Sequence, residues 1–273
     1  MKQTRNLQIK IKRLLQKLKL PEFLHHFGPK KYKLVDHVSG LLVMQICKSS
    51  LRRTELILNL FGAFAPNYST LCKVRKRIPI KLWQKLLTLS AGLSSGNVAI
   101  DGTGFSKANP SFHYLKRIDA INPKRYTKLS ALQDVKTKKF LVMKIRGIPR
   151  HDMQDVKYIL KRCGKLKMFL ADTGYDAEWL HEMCYWKKIQ AHIPPRRNVK
   201  IKKFGKKQLE KWDKKAYNLR SNVEAGFSAI KRKYGSSVRS KKIVGQRAEI
   251  LCKGICHNLG LINQEIFNRA VCG

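Results

Sequence analysis

The chain has 273 residues, with 58 Lys and Arg against 17 Asp and Glu, a formal net charge of +41. An apolar content of 43%, including 4 Trp, 9 Tyr and 11 Phe, excludes a disordered basic tail, which lacks the aromatic residues that close a core. Self-repulsion at such a charge calls for a polyanion, so nucleic acid is the expected partner and an anionic membrane surface the second choice.

The first twenty residues are basic and amphipathic, without the apolar stretch of a signal peptide, and no run of 18 apolar residues follows. The sequence therefore predicts no membrane span and a cytoplasmic, DNA-associated protein. Residues 1–95 hold only Glu22, Asp36 and Glu55 against 19 Lys and Arg, a net +16 (19 − 3). Ser50 is placed to cap a helix carrying Leu51, Leu56, Ile57 and Leu60. The chain breaks at Pro66–Asn67, restarts near Ser69 and meets Pro79. Two short helices, the second loaded with Lys73, Arg75, Lys76 and Arg77, predict a helix-turn-helix with those cations on double-stranded DNA. The simpler reading is a basic helical bundle. The small-residue segment AGLSSG (91–96) marks a boundary, giving a helical DNA-binding domain over 1–95, a catalytic domain over 96–262 and a tail over 263–273.

Beyond that boundary the period changes. NVAIDGTGF, KLSALQDV and KKFLVMKIRG read as strands, the last two joined as a hairpin at Lys136–Lys138. A helix over about 152–163, a strand through LKMFLAD, a helix through DAEWLHEMCYWKK, a short strand at IQAHIPPR and further helices follow. This order predicts an α/β fold, a mixed sheet flanked by helices. Residues 196–215 carry ten bases and two acids. The seven Cys form no CxxC pair. Cys252, Cys256 and His257 lie on one helical segment and read as packing residues rather than zinc ligands.

In so basic a chain the positions of the acids are informative. Asp101 and Asp172 each end an apolar strand and are followed by a small residue and Gly, facing the usual crevice of an α/β sheet. A plain turn-starting Asp is the bland alternative. Glu224 supplies a third carboxylate. On one helix, Tyr217, Arg220, Glu224 and Lys231 fall at roughly +20°, −40°, 0° and −20°, one stripe beside an apolar face of Val223, Phe227, Ile230 and Tyr234. An ordinary Arg220–Glu224 surface pair is the alternative there. Three clustered carboxylates repel unless a hard cation joins them, and Mg²⁺ or Mn²⁺ in such a cluster is the usual device for cutting a phosphodiester. Arg220 and Lys231 would hold phosphate beside it.

These segments resemble an insertion-sequence transposase of the DDE class, in the IS4/IS5-like group. VAIDGTGF matches the strand-end segment with the first Asp, FLADTGYD the second, and Tyr217, Arg220, Glu224 and Lys231 match the Y-x2-R-x3-E-x6-K signature at every position; NYSTLCKVRKRI resembles the family's helix-turn-helix segment. The resemblance covers roughly residues 35–262. It implies a ribonuclease-H-like catalytic domain, divalent metal on Asp101, Asp172 and Glu224, and phosphate contacts from Tyr217, Arg220 and Lys231. It also implies binding of inverted-repeat ends, hydrolysis there and transfer of the freed strand to target DNA, with at least a dimer assembled on DNA. Only 51 residues (173–223) separate Asp172 from Glu224, too few for the β-rich insertion of some relatives. A stand-alone endonuclease or resolvase of the same fold, and a catalytically silent transposase-derived DNA-binding protein, are the alternatives. His151 and Asp152 receive no role, and His113 and His192 are read as structural.

Overall fold

A computed structural model describes residues 2–24, 30–107, 117, 126–197 and 199–272. The chain divides into two compact units, one formed by residues 1–90 with 232–273 and the other by 91–231. His113 lies outside the described residues.

The first unit is helical. It contains α1 (Lys2–Lys17), α2 (Leu34–Ile46), α3 (Leu51–Leu60), α4 (Tyr68–Arg77) and most of α5 (Ile80–Ala91). Ser50 caps α3 by accepting from the Arg53 N–H at 3.2 Å. Asn67 caps α4 by accepting from Ser69 at 3.0 Å, and Glu55 on α3 accepts from Asn67 Nδ2 and the Tyr68 N–H at 3.1 and 2.8 Å. One of the few acids of this segment thus fixes the α3–α4 connection by filling donors at a helix start. The apolar faces close on Leu41, Leu42, Leu71, Ile78 and Trp83, all buried.

The last helix of the chain, Ile243–Cys272, belongs to this unit. It packs on α2 and α4. Its Asn258 amide donates to Leu87 O at 3.3 Å and Ser90 Oγ at 3.0 Å. Its Ile250, Leu251 and Ile255 are buried, and the helix falls in the compact unit of residues 1–90 with 232–273. Cys252 and Cys256 are buried free thiols on this helix, and burial raises both their pKa values.

The second unit is built on a mixed sheet flanked by helices, as a ribonuclease-H-like core requires. Along the chain come β1 (Asn97–Lys107), β2 (Tyr126–Asp134), β3 (Phe140–Arg146), α6 (Met153–Leu160), β4 (Met168–Leu170), α7 (Glu178–Trp186) and β5 (Gln190–His192). Three helices follow: α8 (Lys203–Leu209), α9 (Lys214–Asn218) and α10 (Ser221–Tyr234); the long C-terminal helix is α11. The strand order is β3-β2-β1-β4-β5, antiparallel through the first three and parallel from β1 to β5. The β2–β3 hairpin turns at Lys138, which has a left-handed φ of 58°. Its start is pinned by Asp134, which accepts from Lys136 and Thr137 N–H on one oxygen and from Ser94 and Ser95 on the other. Burial opposes that charge, and these donors outweigh it, holding the carboxyl below its ordinary pKa.

One face of the sheet carries α6 and α7 over Ile100, Leu132, Val142 and Phe169. The other receives α10. Val223, Phe227 and Ile230 are buried, and Phe227 stacks on Phe140 at 5.6 Å with 17° between the rings. Gly226 allows this approach, since a Cβ there would fall 2.3 Å from Gln133 Nε2 and 3.0 Å from Phe140 Cζ.

Candidate active site

The sheet register brings two Asp residues far apart in sequence to the same end of neighbouring strands. The last parallel pair of β1 and β4 is Ala99 with Leu170, so Asp101 and Asp172 each stand two residues beyond it at the same end of neighbouring strands. Asp101 accepts from the Gly102 N–H at 2.7 Å. Asp172 leaves β4 and caps a single 3₁₀ turn, Thr173–Tyr175, by accepting from Gly174 at 2.9 Å. Arg196 clamps that turn: its guanidinium donates to Thr173 and Gly174 carbonyls and its N–H to Asp176.

Glu224 stands in the first turn of α10 and is tied to Asp101 through Arg220. The predicted single helix through Tyr217, Arg220, Glu224 and Lys231 is two helices. Tyr217 sits on α9, and i→i−3 bonds from Leu219, Arg220, Asn222 and Val223 tighten the chain before α10 begins at Ser221. The tight turn still brings Arg220 across the site. Its guanidinium stands 2.8 Å from Glu224 and 3.8 Å from Asp101, with its centre 5.9 Å from the Tyr217 ring. The ordinary Arg220–Glu224 pair is therefore present, and it extends to Asp101. Lys231 donates to Thr103 Oγ1 at 2.7 Å, two residues beyond Asp101 on β1, and stands 5.6 Å over the Phe105 ring.

The electrostatics couple the three acids. The Asp101 carboxyl is pushed up to about 6, first by burial, with the Asp172 and Glu224 charges raising it further against the Gly102 N–H and Arg220. Burial lowers the Lys231 pKa. For Arg220, burial opposes the charge, and Glu224, Tyr217 and Asp101 outweigh it to raise the pKa. Among the described residues, no three His, Cys, Asp or Glu side chains are spaced to hold a metal ion together. The donor chemistry nonetheless suits a hard dication, because Asp101, Asp172 and Glu224 offer only carboxylate oxygens.

Sequence reading missed a second set of groups on the opposite face of β1. Asp152 lies so close to Gly102 that a Cβ there would fall 2.4 Å from its Oδ1. Lys128 holds that carboxylate at 2.7 Å and also donates to the Arg150 carbonyl. Asp155, fully buried, is bound by Arg146 at 2.6 Å and Ser130 at 2.9 Å. Among the described residues the buried Tyr175 hydroxyl has no hydrogen-bond partner, and its ionisation is suppressed by burial and by Asp152, Asp101, Asp172 and Asp155 together. Gly102 after the first Asp was the legible signal. His192 is buried, as expected of a structural residue, accepting from the Asp213 N–H at 3.3 Å.

Of the predicted DNA-contacting cations on α4, Lys73, Lys76 and Arg77 are exposed. Arg75 is buried, turned toward Gly245, whose hypothetical Cβ would lie 3.8 Å from its Nε. Helical spacing explains the difference, since Leu71, Val74 and Arg75 share the inward face of α4.

Comparison with solved structures gives a piggyBac transposase synaptic complex with hairpin DNA, determined by cryo-EM. The similarity has a TM-score of 0.52 at 10% identity, covering 95% of this chain and 72% of that one, and it speaks to the fold alone. No curated protein matches. A family model described as a transposase DDE domain matches residues 94–259, a span that includes Asp101, Asp172, Glu224 and the whole mixed sheet. The chain belongs to the family of DDE-type transposase domains.

Proposed function

We propose that the protein is a DNA transposase that binds the inverted-repeat ends of a mobile element, hydrolyses the phosphodiester there and transfers the freed strand to target DNA. The observation that carries this reading is the placement of Asp101 and Asp172 two residues past the last pair of neighbouring parallel strands, with Arg220 bridging Asp101 to Glu224, in a chain of net charge +41. Asp101, Asp172 and Glu224 would hold Mg²⁺ or Mn²⁺, which when bound supplies charge neutralisation at the attacked phosphate and an activated oxygen. Arg220 balances the acids and offers a bidentate fork to a phosphate that enters beside them. Lys231, steered by Thr103, puts a point charge on the same end of β1. Tyr217 supports Arg220 through its ring.

Exposed Lys73, Lys76 and Arg77 on α4 support a DNA-reading helix, with α3 as the first helix of a helix-turn-helix. A dimer or higher assembly on DNA, placement in the IS4/IS5-like group and a cytoplasmic, DNA-associated location complete the proposal. Among the described residues no helix is long and apolar enough to cross a membrane.

The test is incubation of the protein, with and without Mg²⁺, with a duplex carrying the DNA that flanks its reading frame. Divalent-dependent cutting at short inverted repeats, followed by joining to a second duplex, is the expected outcome. Cutting of four-way junctions without preference for those repeats would favour a resolvase, and binding without cutting a silent DNA-binding protein.

A further inference from the structure

The C-terminal end of α7 carries an aromatic surface that the catalytic reading does not use. Tyr185 and Trp186 are adjacent and exposed, Trp186 to 69%. Their rings meet edge to face with centroids 5.4 Å apart, and Phe204 from α8 lies 5.4 Å from Tyr185 and 6.3 Å from Trp186. The two helices are locked together, because Glu178 accepts from the Phe204 and Gly205 N–H groups at 2.8 and 3.3 Å. The rings are therefore presented on ordered elements.

Cations are built into the same surface. Lys207 stands 4.4 Å over the Tyr185 ring and donates to its hydroxyl at 3.2 Å, and Lys203 stands 5.8 Å from the Phe204 centroid. Among the described residues no cation covers the Trp186 ring, which leaves the largest π surface open. Phe204, Lys203 and Lys207 lie within residues 196–215, which carry ten bases and two acids.

A flat exposed indole among lysines suits a ligand that combines planar apolar faces with a polyanionic backbone. Duplex DNA supplies the anion but hides its base faces by stacking; unpaired nucleotides supply both. We propose that Trp186, Tyr185 and Phe204, with Lys203 and Lys207, form a docking platform for unpaired nucleotides of a DNA strand. The inference rests on the reading that this chain acts on DNA, and it adds a binding surface separate from the three carboxylates.

The test uses the full chain. Affinities for a labelled oligothymidine and for a duplex of equal length are measured for the parent, Trp186→Ala, Trp186→Tyr and Lys207→Ala. Loss of one base stack corresponds to roughly a tenfold weakening. Trp186→Ala is expected to bind the single strand about tenfold more weakly, with duplex affinity within about twofold and the melting temperature unchanged. Trp186→Tyr should recover most of the loss, and Lys207→Ala should flatten the salt dependence. Unchanged single-strand affinity in Trp186→Ala would overturn the platform, as would an equal loss on duplex. So would a fall in oligomer size for that variant by sedimentation, which would assign the patch to a second copy of the chain. A parent that bound neither form of DNA would overturn the functional reading itself, whereas intact duplex binding with no effect of Trp186 would overturn the platform alone.

Discussion

Replacing Asp101 with Asn removes the charge and keeps the shape, so it isolates the electrostatic state of the site. The carboxyl moves from an ordinary 3.8 to about 6 in the folded protein, about two pH units. At about 1.4 kcal/mol per unit, that is at most about 3 kcal/mol of strain from the charged form. Its side chain is 19% exposed, and solvent screening brings the expected value to about 1–2 kcal/mol. The sign follows from linkage. The folded state binds the proton more tightly than the unfolded one, so the penalty is absent below pH 3.8, grows between 3.8 and 6, and is complete above 6. Asp101→Asn should therefore be more stable than the parent by about 1–2 kcal/mol at pH 7.5 without divalent ions, and equal to it near pH 3.5. Its amide oxygen can still accept from Gly102. Millimolar Mg²⁺ should raise the parent's melting temperature more than the variant's, since a ligand of the folded state stabilises by mass action. Denaturant titrations at both pH values provide the measurement. A variant less stable than the parent at pH 7.5, or a gain that persists unchanged at pH 3.5, would refute the reading that burial, with the Asp172 and Glu224 charges behind it, penalises the ionised Asp101.

Phe227→Ala should lose about 3–5 kcal/mol, because Phe227 is buried and stacked on Phe140, whereas Arg220→Ala should melt near the parent while losing affinity for DNA ends; a reversed order in thermal melts would mean the faces of α10 are misassigned. Gly226→Ala should destabilise by about 1–3 kcal/mol by driving a methyl into Gln133 and Phe140, read by the denaturant midpoint. Gly102→Ala should also destabilise, and much less so when combined with Asp152→Ala; additivity in that double-mutant cycle would show that the two residues are not in contact. Replacing Lys73, Lys76 and Arg77 together with Ala should weaken duplex binding and reduce its salt dependence by about three charges, while Arg75→Ala should chiefly lower the melting temperature; binding is followed by salt titration and folding by thermal melts.

Strand-end acids were legible because their signal is local: an apolar run, an Asp, then residues that turn. The order of strands and helices in the second unit was legible for the same reason, as each element carries its own period. The contacts that complete the site depend on register and on tertiary closure. That Asp152 packs on Gly102 follows from β1 pairing Gly102 with Ser130 and from α6 starting beside that pair, which no spacing in the chain announces. The break between Tyr217 and Arg220 was hidden because a 3₁₀ turn and an α-helix share nearly the same pattern over four residues. Arg75 was counted with its basic neighbours although its helical position places it with Leu71 and Val74. The return of α11 to the N-terminal unit required knowing what covers its apolar residues. A fragment ending at residue 95 would lack that cover, so DNA-binding tests belong on the full chain.

Divalent-dependent cleavage by the parent and by Asp172→Asn, on a duplex bearing the DNA that flanks the reading frame, tests the central claim most directly. The expected result is Mg²⁺-dependent cutting by the parent, none by Asp172→Asn, and equal or tighter DNA binding by the variant because a repelling charge is gone. Cutting by Asp172→Asn at the parent's rate would contradict the account.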